Sequence, residues 1–458
     1  MRFFSKTALN EGVTVRECFS WALFDAANSG YSTVVLTAVF NAYFVSVICA
    51  DADWATLAWS TTVACANALS MLVMPVVGRM ADLKAHKKRW LAIATLVCVV
   101  ATALLAYAGP GAYVWAAVMV VVSSVGFNVG ETLNSAFLPE IARRESLGKV
   151  SGWGWSLGYI GGLATLAVCL AVVLAGRSRG AGEETLVGAS CIITAVIFAV
   201  LAVPAIVFLK ERSPAVNPDA SWRQAWRESV DELKRTAALL GTYEDFARLV
   251  VCGFLYQCGI ATVITLAAVY ASAVMGFGLV ESLVLVLVVN VTAAVGAFGF
   301  GYVEDWLGHK LALAATLFIW IAMVACAASA QSVALFWVAA NLAGLAMGSS
   351  QSAGRAMVAV LAPAGRLAQF YSFWNMALWL SVIVGPVTYG AVTWATGNNQ
   401  RLAIIVVGFF FVFGLLALIP VNLKRGAQLA KSAVLDADGF GQGEGSNAKR
   451  PESGGAPR

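Results

Sequence analysis

Runs of about 20 consecutive apolar residues recur twelve times along this chain, and a run of that length is what an α-helix needs to cross a bilayer. They fall at roughly 20–49, 55–78, 89–108, 112–138, 150–175, 185–209, 248–274, 281–303, 310–329, 332–357, 367–396 and 401–421. With 60% hydrophobic and only 12% charged residues, the 458-residue chain carries more apolar surface than a water-soluble core can hide. The runs are continuous and lack the alternation of barrel strands, so the expected fold is an all-α membrane protein with twelve spanning helices. Residues 1–19 contain Arg2, Lys6, Glu11 and Arg16 and no apolar h-region, so no cleaved signal peptide is expected.

Basic residues fix the orientation. If both termini are inside, 26 of the 30 Lys and Arg lie on the cytoplasmic side, whereas Arg177, Arg179 and Arg401 lie outside and Arg355 sits within a helix. Both termini are therefore expected on the cytoplasmic side of the membrane. The net charge of +5 reports this orientation, and no nucleic-acid partner is expected. Nine scattered cysteines without a C-x-x-C pair, and only two histidines, give no disulfide framework, metal site or cofactor site. Nucleotide-binding and hydrolase phrases are missing too, so neither an enzyme nor ATP drive within this chain is expected.

One phrase is written twice. Gly78-Arg-Met-Ala-Asp82 is followed by His86-Lys-Lys, and 223 residues on Gly301-Tyr-Val-Glu-Asp305 is followed by Gly308-His-Lys. At an offset of 224, Pro139 meets Pro363, Trp155 meets Trp379, Gly161 meets Gly385 and Glu131 meets Arg355. Two parallel six-helix halves follow: an N-terminal segment 1–19, a bundle 20–209, a linker 210–247, a bundle 248–421 and a largely disordered tail 422–458. Within the linker, Trp222, Trp226, Val230 and Leu233 have the spacing of a short amphipathic helix that could rest on membrane lipid.

The twice-written phrase resembles the signature loop of the major facilitator superfamily, and the six-plus-six plan resembles that superfamily's fold. Leu83 and Ala85 depart from the usual form in the first copy, while Gly308 keeps the second closer to it. Further phrases, Trp21-Ala-Leu-Phe-Asp25-Ala-Ala-Asn28-Ser29, Phe137-Leu-Pro-Glu140, Ser151-Gly-Trp-Gly-Trp-Ser-Leu-Gly-Tyr159 and Gln351-Ser-Ala-Gly-Arg355, are similar to the branch of autophagy-associated vacuolar effluxers and their bacterial relatives. The resemblance implies secondary transport, with amino-acid efflux attributed to the fungal members. Where that branch usually reads Tyr-Asn-Asp-Gly in helix seven, this chain reads Tyr256-Gln-Cys258-Gly, so a membrane carboxylate is absent.

Intramembrane polar residues fall in stripes: Asp25, Asn28, Ser29 and Ser32 in the first helix, Asn128, Glu131, Asn134 and Ser135 in the fourth, and Gln351, Ser352 and Arg355 in the tenth. A charge at the bilayer centre costs about 2.5–3.5 kcal/mol, so these stripes should face a wet cavity or one another. Glu131 and Arg355 are expected to close the cytoplasmic side as a pair across the cavity, roughly 10 Å deep, with Asp25 as a second partner or protonation site. Trp155, Tyr159, Trp374, Asn375 and Trp379 on helices five and eleven offer flat walls for an organic solute. Asp82 and Asp305, with Gly78 and Gly301, are expected to control the gate by accepting from a helix start or pairing across the loop. Gly154, Gly158 and Gly162, like Gly344 and Gly348, read as small-residue packing seams.

The function expected is a secondary active transporter for a small organic solute, an amino acid or related metabolite, coupled to a proton or another ion and acting as a monomer. Two alternatives stay open: a membrane sensor or scaffold that kept the fold without transport, and an exporter of an amphiphile or lipid.

Overall fold

A computed structural model of the chain describes residues 4–50, 54–213, 215, 217, 219, 221, 223–224, 226–227, 241–277, 279–397 and 399–432. Among them, twelve helices are long and apolar enough to cross a membrane. In the N-terminal bundle they are α1 (Val15–Ile48), α2 (Ala55–Lys84), α3 (Lys87–Leu104), α4 (Tyr113–Ser135), α5 (Leu147–Arg177) and α6 (Glu183–Phe208). In the C-terminal bundle they are α7 (Glu244–Met275), α8 (Leu279–Leu307), α9 (His309–Ser329), α10 (Val333–Leu361), α11 (Leu367–Ala395) and α12 (Gln400–Leu418).

Caps set several of these bounds. The Thr14 hydroxyl accepts from Glu17 N, which starts α1 at Val15, earlier than the expected boundary at 20. Ser332 and Asn399 do the same for α10 and α12. The linker gives way to α7 at Glu244 rather than 248, and residues 423–432 form a further helix, α13, where a disordered tail was expected. That helix buries Gly426, Ala427 and Ala430 and exposes Lys424, Arg425 and Lys431, an amphipathic pattern too short and polar to show as an apolar run. The rest of the tail, from 433, and most of the amphipathic stretch expected around Val230 and Leu233 lie outside the described residues. Helix α1 is not uniform: it widens into π turns at Ser32–Ala38 and Phe44–Ile48.

The repeat is visible in the packing. Helix α1 lies on α5 and α6, and α4 takes α2 and α3; adding six to each number gives the pairs of the second bundle, α7 on α11 and α12 and α10 with α8 and α9. Large apolar side chains such as Leu72, Val295 and Ile419 are left more than half exposed on the outside. That surface fits a chain whose solvent is lipid.

Between the bundles, α5 packs on α8 and α10, and α11 packs on α2 and α4. These contacts draw on the part of each helix nearest the chain termini. A Cβ on Gly78 would come within 3.1 Å of the Ala368 carbonyl, and one on Gly301 within 2.8 Å of the Gly148 carbonyl. The two signature glycines are thus points of backbone contact between halves.

Candidate functional site

The stripe residues of α1 and α10 meet at the bundle interface. Arg355 Nη1 donates to Asp25 Oδ2 at 2.7 Å, Nη2 donates to the Ser151 carbonyl at 2.9 Å and Nε to the Ser151 hydroxyl at 3.2 Å. Asn134 Nδ2 donates to the other Asp25 oxygen at 2.9 Å. The guanidinium lies over the rings of Trp21 and Trp155, at 4.9 and 5.4 Å from their centroids. Trp21 is fixed in turn by its indole N–H to the Asn134 carbonyl at 2.8 Å. Both charged residues are buried, and every guanidinium nitrogen and both carboxylate oxygens have a hydrogen-bond partner, which offsets the cost of desolvating the pair. A Cβ on Gly154 would run into Asp25 and Arg355 together, which explains that glycine better than a general seam does.

This geometry corrects one expectation. Arg355 bonds Asp25 and Ser151, and Glu131 is not among its partners. The repeat relation between Glu131 and Arg355 places them on equivalent helices, but the hydrogen-bonding reach of Arg355 goes to α1 and α5. Glu131 stays partly exposed on α4 beside this pair, one residue from Thr132. Asp25 also lies deeper than expected, ten residues into α1 or about 15 Å along it.

Other candidates separate into those that join the bundles and those that do not. Asn375 Nδ2 donates to Thr132 Oγ1 at 2.7 Å, linking α11 to α4. Asn128 instead donates to Ser70 at 2.9 Å and to Asn67 at 3.4 Å, a bond between α4 and α2 inside one bundle. Trp374 packs on Tyr256 and against Gly253 within the second bundle, and Trp379 is buried. Trp155 and Tyr159 lie side by side with ring centroids 5.9 Å apart. Asn28 is buried with neither amide atom bonded, as are the Trp155 indole N–H, the Tyr256 hydroxyl and Gln257 Oε1. Gln351 is partly exposed, and Cys258 is buried. Gly158 and Gly162 admit Ser29 and Thr33 of α1, while Gly344 and Gly348 admit α8.

The signature loops cap helices of the opposite bundle. Asp82 accepts from Ala368 N at 3.3 Å and Gln369 N at 3.1 Å, in the first turn of α11. Asp305 accepts from Lys149 N at 3.3 Å in the first turn of α5, and Lys149 Nζ lies 3.6 Å away. A carboxylate at a helix start meets free amides and the positive end of the helix dipole. Glu304, next to Asp305, is buried and paired with His309. The first copy has Ala81 there, so the two loops differ in charge as well as in backbone.

A second ring of charges escaped the sequence. Glu17 accepts from Lys210 N at 3.0 Å and from both terminal nitrogens of Arg212, at 2.6 and 2.8 Å. Glu140 accepts from buried Lys87, from Arg212 N at 2.6 Å and from Ser213 Oγ at 2.7 Å. In the second bundle Asp245 accepts from Asn422 N at 2.8 Å and from Arg425 Nε at 2.7 Å. Each bundle thus ties the chain leaving its last helix to a carboxylate at the start of its first. The signal was present, since Glu17 and Asp245 are 228 apart, but that offset differs from the 223 and 224 of the loops.

Comparisons with known proteins agree with this architecture. The model of a family described as vacuole effluxer Atg22 like matches residues 44–431. An uncharacterized MFS-type transporter, YxiO, from Bacillus subtilis is 26% identical over 408 residues, covering 88% of this chain and 94% of its own. Among solved structures, the human organic anion transporter MFSD10 superposes with a TM-score of 0.67 at 13% identity, covering 88% of this chain and 98% of its own. A major facilitator superfamily transporter, FucP, in the outward conformation gives 0.66 at 13% identity, with 88% and 97% covered. Likeness at this identity shows the fold.

Proposed function

Since the chain belongs to the vacuole effluxer Atg22 like family, we propose that it carries a small organic solute by alternating access, drawing on an ion gradient. It is a multi-pass membrane protein with the major facilitator fold and a transporter of that type. The observation that carries the finer reading is the bond of Arg355 to Asp25 and Ser151, which fastens the bundles at the end near the termini. A buried, hydrogen-bonded ion pair on a surface that must part is a latch with two discrete states. The signature loops act with it: Asp82 and Asp305 hold helix starts of the opposite bundle, and Gly78 and Gly301 permit the close approach.

In this reading the structure is the outward-facing state, with both termini cytoplasmic, in agreement with the basic residues at that end. The bacterial relative supports placing it in a cytoplasmic membrane. Glu131, beside the latch and outside its bonds, carries the coupling proton. The solute is an amino acid or related metabolite, contacted by the unbonded polar atoms of Asn28 and Trp155 and by Gln351. Uptake of labelled amino acids into proteoliposomes, with and without an imposed pH gradient, tests this. Gradient-dependent flux that Arg355→Ala abolishes supports the reading. Gradient-independent flux contradicts the coupling, and absence of flux across an amino-acid panel contradicts the solute class.

A further inference from the structure

At the end that carries the termini, a cavity of about 660 Å³ lies between the bundles and shares no lining residue with the Asp25–Arg355 site. Its size falls within the range of small-molecule sites. One wall belongs to the N-terminal bundle and the linker, with Pro139, Arg144, Leu147 and Arg212. The other belongs to the C-terminal bundle and α13, with Ala359, Leu367, Ala427 and Lys431.

The charges on these walls do not balance locally. Glu140, which also lines the cavity, is consumed by Lys87, Arg212 N and Ser213. The Arg212 guanidinium is consumed by Glu17, whose hydrogen bond also raises the Arg212 pKa. What remains is Arg144 on one wall and Lys431 on the other, both exposed and, among the described residues, without an acidic partner. Two cations of like sign therefore face the cavity from opposite sides of a seam that must open, beside Glu140 and Arg212, whose charges are already paired.

We propose that this cavity binds an amphiphilic anion, a phosphate or carboxylate head on a short apolar body, with Arg144 and Lys431 holding the head from the two bundles. The alanine and leucine side chains of both walls pack its body. Because the walls belong to different bundles, the complete site exists only while this end is closed. Any occupant then stabilises the closed arrangement over the open one, so the anion slows the cycle as a brake. The head can come from an anionic lipid of the adjoining leaflet or from a soluble metabolite, and the chemistry of recognition is the same.

Isothermal titration of the full-length protein in neutral detergent with dihexanoyl-phosphatidylglycerol tests the site, beside Arg144→Gln, Lys431→Gln and the double variant. Both side chains are exposed, so the variants should fold, which size-exclusion chromatography checks. A basic residue near a lipid head contributes about 1 kcal/mol, so each single variant should weaken binding about fivefold and the double variant about 25-fold. Arg401→Gln, whose guanidinium bonds the carbonyls of Ala328 and Ala330, should bind as the parent does. Displacement of the probe by inorganic phosphate assigns the site to a soluble anion. Resistance to phosphate, with binding retained by phosphatidylglycerol in nanodiscs, assigns it to lipid. Absence of saturable binding, or a double variant that binds like the parent, overturns the proposal. None of these readouts depends on what the protein transports.

Discussion

Arg355 of α10 reaches Asp25 of α1 at 2.7 Å while also holding Ser151 of α5, so one side chain of the second bundle fastens two helices of the first. Glu131 takes no part in these bonds, and the two acids should therefore separate in function. Glu131→Gln should keep solute exchange across the membrane and lose pH-gradient-driven accumulation. Asp25→Asn should lose both, because it leaves the buried guanidinium without its counter-ion, a change worth about 3–5 kcal/mol when it cannot be relieved. Counterflow and accumulation assays on the same proteoliposomes distinguish them; equal loss in both variants would place Glu131 inside the latch.

Asp82 should hold the closed end through the start of α11. Asp82→Asn keeps an acceptor for one amide but loses the charge, at a cost of about 1 kcal/mol or a roughly fivefold shift toward opening. Ser372 is buried beside Gly78. A Ser372→Cys reporter, in a background with Cys65 and Cys326 changed to Ser, should react with a maleimide about fivefold faster when Asp82→Asn is added. An unchanged rate would remove Asp82 from the gate.

Ala85 and Gly308 occupy the same place in the two loops, and both have positive φ, 52° and 87°. Ala85 is left-handed helical (ψ 47°), where an L-residue loses about 1 kcal/mol, whereas Gly308 at ψ 147° is in a region that is essentially glycine's alone, where a side chain costs about 1–3 kcal/mol. Ala85→Gly should raise the melting temperature in detergent by roughly 1–2 °C, and Gly308→Ala should lower it by at least as much. A fall on Ala85→Gly would mean that the loop relaxes differently.

How much of this could be read from residues alone depends on the kind of interaction. The twelve helices and the two halves were legible, because hydrophobic length and a repeated loop are linear signals. Asp25 and Arg355 stood out because a charge in an apolar run has few tolerable surroundings. Their bond to each other was not legible, since repeat symmetry relates equivalent positions and says nothing of side-chain reach. Asn128 shows the limit of stripe reasoning: its amide is spent on Ser70 inside one bundle, and periodicity cannot separate a cavity face from a packing face. Ser151 acts partly through its backbone carbonyl, which has no sequence signature at all. The π turns of α1 and the helix at 423–432 were hidden for the same reason, as backbone hydrogen bonding and short-range packing decide them.

Glu211, in the linker, has one oxygen bonded to Lys88 N at 2.8 Å and the other buried without a partner. Burial raises its pKa above the ordinary 4.5, with the bond from Lys88 opposing. The folded protein therefore binds the proton more tightly than the unfolded chain, and its stability falls as pH rises above about 4.5. Glu211→Gln should remove that decline: it should melt higher than the parent at pH 7.5 and no higher at pH 4. Parallel melting curves at both values would deny Glu211 this role.

The closed end should open when its latch is cut, and a distance across that end reads this directly. Spin labels on cysteines replacing Glu145 of the first bundle and Gln428 of α13, both exposed, report it by double electron–electron resonance in the Cys65→Ser, Cys326→Ser background. The parent should give mainly one short distance, and adding Arg355→Ala should move at least half of the population to a longer one. Identical distributions in the two proteins would contradict the claim that the Asp25–Arg355 bond holds the bundles together at this end.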